Sequence, residues 1–318
     1  MTAPGDRSKA QASLAEDREF DVIRDFVARW GDASTGIGDD AAMLSLPRGE
    51  RIVASVDAFV EGRHFELSWI TPREIGYRAA AAALSDLAAM AALPLGVLLA
   101  INVPDAWHDR LGAIADGVAD AVRESGTTIV GGNIAAGTEL SITTTVIGHA
   151  FESLARRGAA VGDRLYVTGT LGGPGAAVAA WESGAKPSAI ARGRFAHPVP
   201  RIREARWLAD RGATAGIDIS DGLVADAGHI AAASGRMIEI HLDRLPSIEG
   251  VTFADAARSG EEYELLVTAP TLDTGAFRAT FGLLLTEVGV VVEGAPGVAT
   301  LEHGARVAVL AGYDHFSK

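Results

Sequence analysis

The chain has 318 residues, of which 48% are hydrophobic and 22% are charged, as is typical of a globular protein with a sizeable core. Acidic residues outnumber basic residues by 41 to 28, and this formal net charge of −13, without a basic stripe, excludes a general nucleic-acid-binding surface. Cysteine is absent, which excludes disulfides, thiolate metal sites and cysteine nucleophiles.

The N-terminal segment, residues 1–16, is polar and predicts a flexible tail without the apolar core of a signal peptide. No apolar run approaches the roughly 20 residues that a membrane-spanning helix needs. The longest candidate, Ala79 to Ala92, contains Asp86. We therefore expect a cytoplasmic protein that does not associate with a membrane.

The first half of the chain predicts helices and strands in alternation. Apolar spacing predicts a helix from Glu19 to Trp30, and the β-rich run Arg51 to Asp57 predicts a strand that ends at Asp57. Thr71-Pro-Arg-Glu74 carries an N-cap, a first-turn proline and a capping-box glutamate, so a helix is expected from there to about Ala91. The remaining predicted elements are a strand over 95–103, a helix over 106–125, a strand over 127–130 before a Gly131-Gly132 turn, and a strand over 140–148.

A linker is predicted near residues 151–162, and a second unit follows it. Its predicted elements are a strand over 164–168, the glycine turn GTLGGPG, helices over 176–183, 201–211 and 223–234, and strands over 214–219 and 261–268. Both halves alternate strands and helices, which favours an α/β class with mixed α+β character. We expect an N-terminal domain over 17–150 and a C-terminal α/β domain over 151–318.

Several common catalytic motifs are missing. The chain has no GxxxxGK[ST] P-loop, no strand–GxGxxG–helix fingerprint, no GxSxG elbow and no HExxH pair. The GTLGGPG turn could approach a phosphate, but it serves equally well as a tight connection between a strand and a helix. The chemistry must therefore be sought among other residues.

Asp86 lies in the middle of a predicted helix, within the alanine-rich run YRAAAAALSDLAAMAA. Aspartate is a poor mid-helix residue, and a lone buried carboxylate is costly. Small neighbours would leave Asp86 facing a cavity, where a metal ion would offset the cost of desolvation. The alternative is that Asp86 pairs with an arginine on another element.

Other aspartates occupy turns and element ends. Asp39 and Asp40 are adjacent in a glycine turn, where an Asx turn is the simpler interpretation, and Asp57 could equally be a cap. Asp218 and Asp221 flank Ser220 where a strand turns into a helix, a usual location for ligands in α/β sheets. Capping explains one residue of this group, but two carboxylates so close would repel without a cation.

Aspartates dispersed in this way suit a magnesium-dependent phosphoryl transfer. Mg²⁺ prefers oxygen ligands and bridges carboxylates to substrate phosphates. Phosphoryl transfer needs metal, alignment and charge neutralisation, and an acceptor that is already a phosphate needs no general base.

Seven segments carry a resemblance to a known family: GIGDDAAM, VDAFVEGRHF, ALSDLAAMAA, the glycine pair at 131–132, DISDGLVADAGHI, SGEEYELLVT and GYDHF. In order and spacing they resemble thiamine-monophosphate kinase, from about Phe20 to Phe316. The DISDGL segment and the Gly-Asp-Asp turn also mark the wider aminoimidazole ribonucleotide synthetase-like superfamily, whereas EGRHF, LSDLAAM and GYDHF are narrower.

The resemblance implies a two-domain fold, homodimers that pair through their N-terminal sheets, and transfer of the γ-phosphate of ATP to thiamine monophosphate. It implies that Asp86 and Asp218 are the principal catalytic residues. The implied Mg²⁺ ligands are Asp40, Ser55, Asp57, Asp86, Asp218 and Asp221, with Asp39 supporting the first loop. The implied ATP contacts are Gly132, Asn133, Arg156 and Ser220. The implied contacts to thiamine monophosphate are His64, Glu261 and Tyr313, each of which has a structural alternative.

Three positions depart from the family pattern. Asn133 stands where an aspartate is usual, Val56 where threonine is frequent, and Glu262 where aspartate is usual. The first two put the number of bound ions in question. Two alternative functions remain open. One is another ATP-using enzyme of the superfamily, and the other is a catalytically weak paralogue that binds nucleotide or thiamine phosphate. Asn133 is the only feature that favours the weak paralogue. The absence of cysteine disfavours the selenophosphate synthetase and hydrogenase-maturation branches.

Overall fold

The computed structural model describes residues 18–37 and 41–308. The first 150 residues supply a four-stranded sheet, in which the strand order is β1-β4-β2-β3 and β2 runs parallel to β3. The elements of this part are α1 (Arg18–Trp30), β1 (Arg51–Val60), α2 (Pro72–Ala89), β2 (Leu93–Val103), α3 (Leu111–Glu124), β3 (Ile129–Ala136) and β4 (Ser141–Ala150), with 3-10 turns at Gly31–Ala33 and Asp105–Arg110.

The rest of the described chain forms a seven-stranded sheet in the order β11-β10-β7-β9-β5-β8-β6. Neighbouring strands are antiparallel except β7 and β10, which are parallel. Its elements are β5 (Arg164–Thr168), α4 (Gly173–Glu182), α5 (Ala189–Ala196), α6 (Ile202–Ala209), β6 (Ala215–Asp218), α7 (Leu223–Ser234), β7 (Met237–His241), α8 (Phe253–Arg258), β8 (Leu265–Ala269), α9 (Thr274–Phe281), β9 (Leu285–Val292), β10 (Gly297–Glu302) and β11 (Ala305–Val307). The mixed α/β class is therefore confirmed.

By its contacts the chain divides into two units, and neither of them is continuous in sequence. The first unit comprises Met1–Leu46, Val56–Ala80 and Leu95–Val146, and the second comprises Pro47–Ser55, Ala81–Pro94 and Ile147–Lys318. Strand β1 and helix α2 therefore each contribute residues to both units.

The seven-stranded sheet buries apolar side chains on both of its faces. Successive residues of a strand point to opposite faces, so Leu165 and Val167 of β5 join one hydrophobic cluster and Tyr166 joins another. Helix α7 supplies the first cluster, for example through Ile230, and helix α6 supplies the second, for example through Leu208. Burial on both faces explains why strands of this sheet such as β5 and β8 are largely apolar.

The capping box predicted at the start of α2 is confirmed. The Thr71 amide donates to Glu74 Oε2 at 2.8 Å, and the Glu74 amide donates back to Thr71 Oγ1 at 3.3 Å. These bonds satisfy two of the helix N-terminal donors, and Pro72 has no amide hydrogen to satisfy. The start of the helix that carries Asp86 is therefore determined by local sequence.

Helices α2 and α3 cross at two glycines with no space for a side chain. A Cβ on Gly76 would lie 2.0 Å from the Ile114 carbonyl oxygen, and one on Gly117 would lie 1.8 Å from the Arg73 carbonyl oxygen. The obstructing atoms are backbone, so neither position can be relieved by a rotamer change. The crossing therefore requires glycine at both positions despite its low helix propensity.

We expect Gly117→Ala to destabilise the fold by about 3 kcal/mol or more, because the two helices must separate to admit the methyl group. Gly193 of α5 provides a matched control, since a Cβ there meets nothing within 4 Å. Gly193→Ala should raise the unfolding free energy by about 0.5–1 kcal/mol. Denaturant unfolding of both variants measures the difference, and equal stability of the two would contradict the close crossing.

Three sequence-based predictions about local structure are wrong. Strand β1 continues to Val60, so Asp57 lies inside it, and Gly131-Gly132 lies within β3 where a turn was expected. A Cβ on Gly132 would lie 2.3 Å from the Leu99 carbonyl oxygen, so close approach of β2 explains this glycine. The strand predicted from Glu261 begins only at Leu265, because the preceding residues take backbone angles that a strand cannot.

No helix within the described ranges is long and apolar enough to cross a membrane. The apolar run over 79–92 forms most of α2 and its C-terminal turn, and it is buried in protein.

Candidate functional site

Asp86 projects from α2 into a polar environment within the second unit. Ser55 Oγ donates a hydrogen bond to Asp86 Oδ2. Burial raises the pKa of Asp86 above its ordinary value, while the Ser55 hydrogen bond and the positive charge of Arg156 lower it less strongly. The arginine predicted as an alternative partner is therefore present as a nearby charge, but it does not outweigh the cost of desolvation.

Asp218 is the last residue of β6 and is held by the residue next to Asp86. Ser85 Oγ donates to Asp218 Oδ2 at 2.7 Å, and both side chains are buried. Ser85 and Asp86 are adjacent on α2, so one turn of this helix contacts Asp218 and Ser55 through neighbouring side chains. Ser55 and Asp218, distant in sequence, are thus joined through the adjacent helix residues Asp86 and Ser85, and we call these four residues the linked cluster.

The segment Ser220–Gly222, between β6 and α7, wraps around the carboxylate of Asp226. Asp226 Oδ2 accepts backbone N–H bonds from Ser220 at 3.0 Å and from Asp221 and Gly222 at 3.1 Å. Burial and the negative charges of Asp218 and Asp221 nevertheless raise the pKa of Asp226 to about 8. Such repulsion among three carboxylates is what a bound cation would relieve.

The donor set of this cluster fits a hard cation. Its groups are carboxylate and hydroxyl oxygens, which are ligands that Mg²⁺ accepts, and sulfur is absent. Asp221, Asp226 and the exposed His229 also place possible ligand atoms within 4.8 Å of one another.

A strained loop supports the Ser220–Gly222 segment from its other side. The Glu261 amide donates to the Ser220 carbonyl at 2.7 Å, and the Tyr263 amide donates to the Ile219 carbonyl at 2.9 Å. Glu261 and Tyr263 have φ of +57° and +52°, a region that costs non-glycine residues of order 1 kcal/mol or more each. Surrounding contacts must hold the loop in this form.

The contacts that hold it are a buried network of two glutamates and two arginines. Arg201 donates to both carboxylate oxygens of Glu264, at 2.8 and 2.6 Å, and Arg194 donates to Glu264 Oε1 at 2.8 Å. Arg194 makes a longer contact, of 3.3 Å, with Glu262 Oε2. Ser259 Oγ donates to Glu262 Oε1 at 2.5 Å. No local sequence pattern indicates these pairs, which join residues 63 to 70 positions apart.

The pKa values of Glu262 and Glu264 are shifted in opposite directions. Burial would raise the pKa of Glu264, but Arg201 and Arg194 overcome it and hold that pKa below the ordinary value. Burial raises the pKa of Glu262 to about 7, because Arg194, Ser259 and the Gly172 amide compensate only in part and the charge of Glu264 adds to the shift. Glu262 therefore takes up a proton when the protein folds at mildly acidic pH.

We expect the stability of the protein to fall as pH rises from about 4.5 to 7, by about 3 kcal/mol from Glu262 alone. The pKa of Glu262 is higher in the folded protein than in the unfolded chain. The stability that Glu262 contributes is therefore fully present below the unfolded pKa and is lost as pH rises through the folded pKa. In Glu262→Gln the decline should be smaller, since the glutamine amide does not titrate, and its oxygen still accepts the bond from the Gly172 amide. Unfolding free energies of both proteins at several pH values test this, and parallel curves would contradict it.

Some predicted site residues lie in the first unit. The Val60 amide donates to His64 Nδ1 at 3.1 Å, which leaves the His64 proton on Nε2. Asn133 is exposed on β3, where it and Gly132 line a cavity of about 40 Å³ together with Ile37. Ile37 directly precedes the segment Gly38-Asp39-Asp40, which lies outside the described residues. Asp57 follows Ser55 by two residues on β1, so the two side chains point to the same face of that strand.

The structure thus links Ser55, Asp86 and Asp218, and it places Ser220 and Asp221 in the adjoining segment. Glu261 reaches this segment through its backbone, and Arg156 acts on Asp86 through its charge. Asp39, Asp40 and Tyr313 lie outside the described residues. Sequence reasoning missed Ser85 and Asp226, although an aspartate in the first turn of α7 was a usable signal.

Comparison with known proteins identifies the family. The AIR synthase related protein N-terminal domain matches residues 38–150, and the AIR synthase related protein C-terminal domain matches residues 160–302. The thiamine-monophosphate kinase of Salmonella typhimurium is 36% identical, over 94% of this chain and 96% of that protein. The one from Bacillus subtilis is 30% identical, over 94% and 99%. The chain belongs to the thiamine-monophosphate kinase family.

Solved structures of this family share the fold. Thiamine-monophosphate kinase from Stenotrophomonas maltophilia superimposes with a TM-score of 0.79 at 32% identity, covering 92% of this chain and 98% of that chain. AaThiL complexed with AMPPCP and TMP gives a TM-score of 0.75 at 29% identity, covering 97% and 100%. A hydrogenase maturation protein in complex with ATP, at 19% identity and a TM-score of 0.79, shows that the fold extends beyond thiamine-monophosphate kinases.

Proposed function

We propose that this protein is a thiamine-phosphate kinase that transfers the γ-phosphate of ATP to thiamine monophosphate, giving thiamine diphosphate and ADP. The observation that carries the proposal is the linked cluster of Ser55, Ser85, Asp86 and Asp218, in a chain that belongs to the thiamine-monophosphate kinase family. The oxygen-rich donor set suits transfer between phosphates.

Magnesium is the cation that we propose for this cluster. Ser55, Asp86, Asp218 and Asp221 would hold it, with Asp40 and Asp57 completing the set. When bound, Mg²⁺ neutralises phosphate charge and aligns the donor with the acceptor. The partly buried position of Asp86, which raises the pKa of this carboxyl, supports a bound cation because an isolated charge there is costly.

The remaining site residues are proposed to bind and orient the two substrates. Gly132, Asn133, Arg156 and Ser220 are the proposed ATP contacts. His64, Glu261 and Tyr313 are the proposed contacts to thiamine monophosphate. His64 carries its proton on Nε2, so it can donate a hydrogen bond to a phosphate oxygen without being charged. The acceptor oxygen of thiamine monophosphate is already ionised near neutral pH, so no side chain needs to remove its proton.

One assay tests the proposed activity. The purified protein is incubated with Mg-ATP and thiamine monophosphate, and thiamine diphosphate and ADP are measured. Equal amounts of both products are expected. ADP without thiamine diphosphate would indicate another acceptor, and binding of either ligand without turnover would favour the sensor described next.

A nucleotide or thiamine-phosphate sensor is the second candidate, and Asn133 is the observation that favours it. An amide in place of the usual carboxylate removes one negative charge from the proposed nucleotide site, where Asn133 is exposed on β3. A weaker cation site and slower turnover would follow.

We expect Asn133→Asp to be tolerated and to lower the Mg²⁺ concentration needed for half-maximal activity, because a carboxylate binds Mg²⁺ more strongly than an amide oxygen. The position is exposed, so the stability of the fold should not change. A magnesium titration of both proteins, with Asn102→Asp on the adjacent strand as the control, measures the effect. Identical titrations would place residue 133 outside the cation cluster.

A homodimer formed through the N-terminal sheet is also proposed. Strand β1 is at an edge of the four-stranded sheet, and alternate residues on it form an apolar face exposed to solvent, with Ile52 at 64% and Val56 at 60% exposure. Exposed apolar residues in a row are typical of an interface. The molar mass in solution tests this, and a monomer at micromolar concentration would contradict it.

The domain boundary likewise stays a proposal. The match to the N-terminal family domain ends at residue 150, and the match to the C-terminal family domain begins at residue 160. This gap supports an N-terminal domain over 17–150 and a C-terminal domain over 151–318. The tail predicted over residues 1–16 lies outside the described residues.

A further inference from the structure

The turn between β6 and α7 has an internal acceptor for its backbone amides. The amides of Ser220, Asp221 and Gly222 converge on one oxygen of Asp226, at 3.0 to 3.1 Å. Asp226 lies in the first turn of α7 and is 1% exposed. This aspartate is not among the residues that the proposed function uses.

Converging amides at the start of a helix usually form an anion site. Three successive N–H groups that point to one place make a concave donor surface suited to a phosphate or a carboxylate. In this protein a side chain of the same chain already occupies that surface. A substrate phosphate therefore cannot use these amides, and the segment offers its ligands the side chains of Asp221 and the preceding Asp218 instead.

The opposite edge of the same segment is also held. The carbonyls of Ile219 and Ser220 accept amides from Tyr263 and Glu261, at 2.9 and 2.7 Å. Gly222 has φ of +113°, and a Cβ there would lie 3.0 Å from the Arg258 carbonyl oxygen. Hydrogen bonds on both edges of the segment, together with the constrained Gly222, hold its backbone in one conformation. This conformation determines where the Asp221 carboxylate lies.

We propose that Asp226 is a positioning residue for the kinase reaction: it occupies the amide surface of Ser220–Gly222 and thereby orients Asp221 toward cations. This inference rests on the proposed function. The competing interpretation is that Asp226 is itself a metal ligand together with Asp221 and His229, whose ligand atoms lie within 4.8 Å. The two interpretations differ in what they require of residue 226. Positioning requires a hydrogen-bond acceptor, whereas ligation of a hard cation benefits from the negative charge.

Three variants separate these interpretations. Asp226→Ala removes the acceptor, Asp226→Asn keeps a neutral acceptor oxygen of the same reach, and Asp221→Asn alters a proposed ligand directly. Asp163→Asn is the control: Asp163 is a buried aspartate of the same unit that accepts bonds from the Ala160 amide and Thr214 Oγ1. For each protein kcat, both KM values and the Mg²⁺ concentration for half-maximal activity are measured. Hydrogen exchange of the amides of 220–222 is followed separately.

We expect Asp226→Ala to lose about 10- to 100-fold in kcat/KM, as is usual when a residue that orients metal ligands is removed. Its amides at 220–222 should exchange faster than in the wild type. Asp226→Asn should keep most of the wild-type kcat, its magnesium dependence and the slow exchange. Asp221→Asn should shift the magnesium dependence with exchange unchanged, and Asp163→Asn should change neither.

Two results would overturn the proposal. One is wild-type kcat/KM in Asp226→Ala. The other is an Asp226→Asn variant that loses as much activity and magnesium affinity as Asp221→Asn, since that would make Asp226 a ligand. If Asp226→Ala does not fold, Asp226→Asn decides alone. Failure of the proposed function is distinct, because the wild type would then form no thiamine diphosphate while the exchange measurements still report on the amide contacts.

Discussion

Asp218→Ala is expected to lower kcat for thiamine diphosphate formation by about 10²- to 10³-fold, the size of loss seen when a main electrostatic contact to a developing charge is removed. Asp218 ends β6, accepts a bond from Ser85 beside Asp86 and raises the pKa of Asp226 through its charge. It therefore belongs to the carboxylate cluster by both geometry and electrostatics. We expect Asp86→Ala to cause a loss of similar size.

The protein should remain folded in these variants. Asp218→Ala removes the buried acceptor of the Ser85 hydroxyl, a cost of about 1–3 kcal/mol, but it also relieves repulsion between carboxylates. Asp218→Asn keeps an acceptor for Ser85 and should be at least as stable as the wild type without the cation, yet nearly inactive. Loss of function with unchanged or higher stability is the pattern expected of a binding site rather than of a structural contact.

A matched control is available in the same unit. Asp163 and Asp218 are each 6% exposed, and each accepts a hydrogen bond from a hydroxyl group. Asp163→Asn should reduce stability and leave kcat unchanged. Kinetic assays and thermal unfolding of both asparagine variants make the comparison. Wild-type turnover in Asp218→Asn would remove this residue from the catalytic cluster.

The part of the site that was predictable from sequence lies in locally encoded elements. Thr71 and Glu74 specify the start of α2, and a polar Asp86 within an alanine run marks the buried turn that faces the site. The apolar residues before Asp218 and the glycine after Asp221 specify the junction of β6 and α7. These signals depend on spacings of two to four residues, which sequence periodicity reports directly.

The part that was missed depends on residues distant in sequence. Ser85 meets Asp218 across 133 positions, and Arg201 meets Glu264 across 63, so topology rather than local pattern selects the partners. The alternating run from Glu261 looks like a strand. Tertiary contacts instead impose positive φ on two of its residues, which no local propensity favours. The same contacts account for the delayed start of β8.

Glu264→Gln is expected to destabilise the protein by about 3–5 kcal/mol, because it leaves the buried guanidinium of Arg201 and the partly buried one of Arg194 facing a neutral side chain. Glu264 is fully buried and accepts bonds from Arg201, Arg194 and Thr168. A glutamine also turns an NH₂ group toward an arginine donor, so one of these bonds becomes repulsive. The folded pKa of Glu264 lies below the unfolded one, so its contribution is present above the unfolded pKa and is lost as pH falls through the folded pKa.

The comparison that isolates this effect is Glu287→Gln, a variant of another glutamate that faces two arginines. Glu287 lies 3.6 Å from both Arg164 and Arg244, but it is partly exposed, so solvent screens its charge and the expected cost is at most about 1 kcal/mol. Denaturant unfolding at neutral pH should therefore separate the two variants widely, and acid titration should narrow the gap between Glu264→Gln and the wild type. Since Glu264 anchors the loop whose amides support Ser220, the same variant should also raise KM or lower kcat under conditions where it is still folded. Equal stability of the two glutamine variants would mean that the buried network does not hold this loop.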